Sequence, residues 1–203
     1  MEESTWNKII DALASLNYCG RISPHLYGEP LLDERLPALI DYARKKCPNA
    51  YIAINTNGDL LNESLFKRLL AKGADALIVT NYDREEKLEL ELLAKRYPLH
   101  MHLRNCGDFK IVNRAGKIFD QKITSSLPCL RPASQLIINW KGEVLLCCND
   151  FYARYVMGAI AEESIPEIWK NQKFGSYRND LRLGHRSKIE ICRFCDDPGK
   201  IPW

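Results

Sequence analysis

Up to about residue 105, short apolar runs alternate with stretches in which apolar residues recur every three or four positions. No feature constrains the fold more, because strand-like and helix-like segments bury different faces and must cover one another. Trp6, Ile9, Ile10, Leu13 and Leu16 have helical spacing behind Ser4 or Thr5 as a cap. Arg21 to Tyr27 leads into a loop at Gly28-Glu29-Pro30, and Leu36, Leu39, Ile40 and Ala43 mark a second helix ending near Cys47-Pro48. Tyr51 to Asn55, Ala76 to Val79 and Leu99 to Leu103 read as strands, separated by helices over Leu65 to Ala71 and Arg84 to Lys95. This rhythm predicts an α/β fold of βα units around a parallel sheet.

The turns Gly28-Glu29-Pro30, Thr56-Asn57-Gly58, Thr80-Asn81 and Arg104-Asn105 follow the strands, at the end where α/β folds build their sites. Turns need Gly, Asn and Pro whatever they bind, so spacing alone gives these segments a structural role.

From about Gly107 the pattern changes. Gln135 to Asn139 and Glu143 to Cys147 are strand-like on either side of Trp140-Lys141-Gly142, a hairpin. Ser164-Ile165-Pro166-Glu167 has the form of a capping box, opening one helix through Ile168, Trp169, Tyr177 and Leu181. The expected organisation is one domain over 1–106, then a linker and smaller module over 107–203.

With 46% hydrophobic and 27% charged residues, the chain reads as globular, not disordered. A net charge of +3 from scattered basic residues leaves no nucleic-acid footprint. The apolar runs are too short to cross a bilayer, and the acidic N-terminus lacks the apolar core of a secretory signal. A cytoplasmic protein is expected.

In a reducing compartment, eight cysteines call for something other than a disulfide framework. Cys19, Cys47 and Cys106 lie apart, while five fall between 129 and 195. Cys192-Arg-Phe-Cys195 can put two thiolates on one metal. A hairpin can bring Cys129 near Cys147, and the helix behind it returns the chain to Cys192. The result is a Cys₄ site for which zinc and an iron–sulfur cluster both remain open. The competing reading makes Cys129 and Cys147 small core residues.

Cys129, then Gly142 separated by four residues from Cys147, then a distant Cys192-x-x-Cys195, resembles the Twitch module. Twitch is the shortened form of the SPASM domain at the C-terminus of many radical S-adenosylmethionine (SAM) enzymes. The flanking segments Cys129-Leu-Arg-Pro, Gly158-Ala-Ile, Ser164-Ile-Pro-Glu-Ile-Trp and Cys192-Arg-Phe-Cys-Asp agree. The resemblance implies one auxiliary [4Fe-4S] cluster on Cys129, Cys147, Cys192 and Cys195. It also implies an incomplete (β/α)₆ barrel before a small hairpin-plus-helix module. Within that barrel, Gly28, Glu29 and Pro30 resemble the segment that holds the SAM amino group. Asn57 resembles the end of the next strand, and Thr80 and Asn81 a contact to the SAM ribose or carboxylate. Arg104-Asn105 and Asn113-Arg114 resemble segments near the family's active site.

The family's Cys-x-x-x-Cys-x-x-Cys is absent from these 203 residues. SAM is therefore expected as a cofactor once a segment supplying that motif is restored, and this chain alone is not expected to cleave it. The chain is expected to be either a shortened enzyme, which the surviving Gly28-Glu29-Pro30 favours, or a remnant keeping the auxiliary cluster. The implied enzymes oxidise or epimerise carbohydrate-like alcohols, with a flavodoxin or ferredoxin as electron donor. Four protein thiolates leave no open iron, which suits electron relay and hence oxidation. Epimerisation needs a hydrogen-atom donor, for which Cys148 is the candidate. In an extended strand its side chain would point away from that of Cys147, and the competing reading packs it in the core. The rival readings are a peptide-modifying maturase and a non-enzymatic electron-transfer or partner-binding iron–sulfur protein. His25 is placed to line the pocket or to serve the fold. His100, His102 and His185 read as structural or surface residues.

Overall fold

The computed structural model describes residues 1–83, 87–108, 112–118 and 126–200. It divides into two compact units, Trp6–Lys110, and Met1–Thr5 together with Ile111–Trp203.

The first unit is built on β1 (Arg21–Ile22), β2 (Tyr51–Thr56), β3 (Ala76–Thr80) and β4 (Met101–Arg104). These form a four-stranded sheet in the order β1-β2-β3-β4, parallel throughout. Between them run α2 (Leu36–Lys46), α3 (Glu63–Ala71) and α4 (Leu88–Arg96), with α1 (Glu3–Ser15) opening the chain. Successive strand residues face opposite sides, so Ile52, Ile54, Leu77 and Val79 share one face, and all four are fully buried. Ile40, Phe66 and Leu69 join their cluster, each burial contributing roughly 1.5–3 kcal/mol.

The other face carries Arg21, Asn55, Thr80 and Arg104 and is covered only in part. The helices end for local reasons. Asn62 caps α3 by accepting from Leu65 N at 2.9 Å, and α2 finishes on Arg44, Lys45 and Lys46, which suit the negative end of its dipole.

The α/β class and parallel sheet are as the rhythm implied. Helix α1 starts at Glu3, ahead of the expected Ser4 or Thr5 cap, and Leu16 lies beyond its end, 48% exposed. The expected helix from Arg84 begins at Leu88, and residues 84–86 lie outside the described residues. Strand β4 begins at Met101 because Leu99 is 82% exposed and has no core to enter.

The second unit contains α5 (Arg131–Ser134), β5 (Ile137–Ile138), β6 (Glu143–Leu145), β7 (Val156–Ala159), α6 (Ile165–Lys170), α7 (Gln172–Arg182) and α8 (Glu190–Arg193). The expected hairpin is present as β5 and β6, and β7 adds a third antiparallel strand that the sequence reading lacked. The Ser164–Glu167 capping box forms as expected. The single helix expected behind it is two. Asn171 leaves helical geometry (ψ 152°) and caps α7, while its Nδ2 donates to Met157 O of β7 at 2.7 Å. A tertiary hydrogen bond thus breaks a helix that periodicity alone would continue. Among the described residues, no helix is long and apolar enough to cross a membrane.

Candidate functional site

In the second unit, Cys129, Cys147, Cys192 and Cys195 line one small cavity. Each thiol arrives from a different local structure. Cys129 precedes α5 and its N–H donates to Leu181 O at 2.8 Å. Cys147 lies two residues beyond β6, in a turn closed by Asp150 N donating to Cys147 O at 3.1 Å. Cys192 sits in α8, and Cys195 N donates back to Cys192 O at 3.2 Å, so the two-residue gap folds round on itself.

Burial raises the thiol pKa values of Cys129 and Cys195, and pushes Cys192 up to about 12 with help from the thiols of Cys195 and Cys129. Burial outweighs the opposing effect of the Arg186 charge, so these thiols favour the neutral form. Among the described residues, no three His, Cys, Asp or Glu side chains converge closely enough to hold a single metal ion.

Polar side chains fix this cradle. Asn149 is buried, its N–H reaches Cys147 Sγ at 3.4 Å and its Nδ2 reaches Cys195 Sγ at 3.6 Å. Asp197, 4% exposed, accepts from Arg131 Nε and from Gly199 N, both at 2.8 Å. Asn113, which the sequence placed near an active site, is buried and ties down the cysteine tail. Its Nδ2 donates to Phe194 O at 2.7 Å, and its N–H donates to Asp196 Oδ1 at 2.8 Å. Asn149, Asp197 and Arg186 were not singled out by the sequence reading. The usable signal was their adjacency to cysteines or to the basic stretch around His185.

Cys148 departs from expectation. Strand β6 ends at Leu145, so Cys147 and Cys148 lie in a turn and not on opposite faces of a strand. Their thiols hydrogen-bond to each other, which raises the pKa of Cys147 and lowers that of Cys148. Cys148 is not among the residues lining the cavity. Of the remaining thiols, Cys47 is buried with Sγ 3.7 Å from Ile10 O, while Cys19 and Cys106 are exposed.

In the first unit, the turns named from the sequence meet at the C-terminal end of the sheet. Glu29 Oε1 accepts from Thr56 Oγ1 at 2.6 Å and from Leu31 N at 3.0 Å, and Oε2 accepts from Asn57 N at 2.8 Å. Pro30 opens a 3₁₀ turn, and Gly28 sits one residue before the clamped carboxylate. A carboxylate has about four acceptor positions, so one is left for another donor. Gly58 closes the turn at φ +80°, where a Cβ would lie 2.7 Å from Val79 Cγ1.

Thr80 ends β3 on the half-covered face. Asn81 is buried, its N–H donates to Arg104 O at 2.9 Å and its Oδ1 accepts from Asp83 N at 3.1 Å. Arg21 and Asn55 share that face, with Arg21 Nη2 3.4 Å from Asn55 Oδ1, and burial lowers the Arg21 pKa. His100 Nδ1 lies 2.8 Å from Asp75 O, and His185 Nδ1 lies 3.1 Å from Asp180 Oδ1, as structural histidines would.

Residues 129–196 match SPASM, an iron–sulfur cluster-binding domain. Over 202 residues, 97% of the chain, the protein is 33% identical to an S-adenosyl-L-methionine-dependent 2-deoxy-scyllo-inosamine dehydrogenase of Niallia circulans, covering 81% of it. Its structure is similar to that of BtrN in complex with AdoMet and 2-DOIA, with a TM-score of 0.91 and 32% identity. That match covers 100% of this chain and 84% of BtrN. Native anSMEcpe with bound AdoMet aligns with a TM-score of 0.60 over 96% of this chain and 78% of its own, at 14% identity, a likeness of fold alone.

Proposed function

The chain belongs to the radical SAM enzymes that carry a C-terminal SPASM iron–sulfur domain, and from that premise we propose that it serves the oxidation of a carbohydrate-like alcohol. One auxiliary [4Fe-4S] cluster is held by Cys129, Cys147, Cys192 and Cys195. The observation that carries this reading is that those four thiols line one cavity within the segment matching an iron–sulfur cluster-binding domain. Four thiolates suit zinc or a cluster, and the match to an iron–sulfur cluster-binding domain favours the cluster. Bound there, the cluster supplies a one-electron acceptor with no iron open to substrate.

The first unit supports SAM binding. Glu29, oriented by Thr56 and Asn57, offers its remaining acceptor position to the SAM amino group, and Gly28, Pro30, Thr80 and Asn81 frame the same sheet end. The substrate class rests on the Niallia circulans dehydrogenase, and an aminocyclitol such as 2-deoxy-scyllo-inosamine is the first compound to try. Cys148 is the available hydrogen-atom donor if the outcome is epimerisation. A flavodoxin or ferredoxin in the cytoplasm completes the reading.

Anaerobic reconstitution tests it. About four irons per chain with broad visible absorbance are expected. Replacing any of the four cavity cysteines by Ala should lower iron content, while Cys148→Ala should retain it because Cys148 does not line the cavity. Stoichiometric zinc, or iron lost from the Cys148 variant alone, would defeat the proposal. These 203 residues should form no 5′-deoxyadenosine by themselves. Joined to a segment carrying Cys-x-x-x-Cys-x-x-Cys, they should form it along with a ketone.

A further inference from the structure

Among the described residues, Arg186 is the largest fully buried side chain, at 1% exposure. It borders the cavity lined by the four cysteines. Among the described residues, its hydrogen bonds go to backbone oxygens. Nε donates to Leu127 O at 2.8 Å, Nη2 to Pro128 O at 3.2 Å, and Nη1 to Asp197 O at 2.7 Å and Cys195 O at 3.4 Å. Among the described residues it forms no ion pair, and Asp197 Oδ1 accepts instead from Arg131 Nε and Gly199 N.

Carbonyl oxygens satisfy the guanidinium's N–H groups but leave its charge uncompensated. Buried charges are ordinarily paired or set against a metal site, and an uncompensated one is costly. The surroundings are also tight. Gly199 has φ +69°, and a Cβ there would lie 2.6 Å from Arg186 Nη2 and 2.7 Å from Cys129 Cα. The chain is packed round the guanidinium, which joins the backbone just before Cys129 to the backbone at and after Cys195.

We infer that Arg186 is the buried counter-charge of the thiolate-held group and, as a positioning residue, sets its reduction potential. This rests on the proposed four-cysteine cluster. Uptake of one electron makes the bound group more negative by one charge. A fixed cation at its edge favours the reduced state, so removing that cation lowers the potential.

The experiment compares the reconstituted full chain with Arg186→Gln and Arg186→Lys, measuring iron per chain and a redox titration followed by electron paramagnetic resonance. A wild-type chain without about four irons defeats the cluster reading itself, whatever the variants do. Given a loaded wild type, Arg186→Gln should lower the reduced-to-oxidised ratio at fixed potential about tenfold, a shift of about 59 mV for one electron. Arg186→Lys keeps the charge and loses the planar fork, so its potential should stay near wild type even where iron retention falls. A loaded Arg186→Gln protein with wild-type potential overturns the inference. If Arg186→Gln cannot hold iron, retention by Arg186→Lys supports a role for charge. Equal loss from both variants assigns the residue to geometry alone and overturns the inference.

Discussion

The two units are held together by different interactions. In Trp6–Lys110 one apolar cluster runs from Trp6 to Met101, and the buried polar side chains, Thr56 and Asn81, sit at strand ends. In the second unit six polar or charged side chains are buried among the described residues: Asn113, Asn139, Asn149, Asp150, Arg186 and Asp197. They do local structural work. Asp150, for example, accepts from Arg154 N at 3.0 Å and from Tyr155 N at 2.8 Å. An apolar cluster is stabilised by area and needs no ligand. A polar network around buried thiols and a buried cation is stable only when every member is satisfied. The sheet unit is stabilised by apolar area, and if the proposed cluster binds, the cysteine unit is the one whose stability should follow it.

Removing iron should give the largest difference between the units. Anaerobic chelation should lower amide-exchange protection around Cys129, Cys147 and Cys192 by several kcal/mol, as for other metal-organised domains. The amides of Ile54 and Leu77 should keep theirs. Equal losses in both units would break the contrast. Leu77→Ala probes the opposite side, since Leu77 is fully buried in β3. It should cost roughly 2–5 kcal/mol in the sheet unit's urea unfolding, with iron per chain unchanged. Iron released together with that loss would show that the units are coupled.

Smaller effects sharpen the comparison. Ser164→Ala removes the capping box of α6 and should destabilise the cysteine unit by about 1 kcal/mol. A loss confined to the sheet unit would contradict the division. The smallest effect should come from Glu63, whose carboxyl is held at about 2 by Lys67, Arg96 and Tyr97. A pKa lowered on folding contributes stability that is complete above the unfolded value, about 4.3, and is lost as pH falls towards 2. The urea-midpoint gap between wild type and Glu63→Gln should therefore close over that interval. It should also shrink in high salt, because these groups are exposed. A gap that persists at pH 2 would exclude an ionised Glu63 as its source.

Features set by neighbours along the chain were legible in the sequence. The βα rhythm gave the parallel sheet, Ser164 and Glu167 gave their capping box, and the crowding of cysteines after residue 129 pointed to the four that line one cavity. Hydrophobic period and capping chemistry act within a few residues, so they survive in a bare sequence.

What depended on distant partners was decided only by the tertiary structure. Glu29 is clamped by Thr56 and Asn57, 27 and 28 residues away. β7 forms where β6 offers it an edge, and Asn171 breaks a helix to reach Met157. Cys148 turns beside Cys147 because β6 has already ended. Arg186 gave no sequence sign of burial, since an arginine in a basic stretch is ordinarily solvated. Its hydrogen-bond partners lie 9 to 59 residues away. Whether a charge is buried depends on which carbonyls and thiols the folded chain brings round it, and local composition carries no record of that convergence.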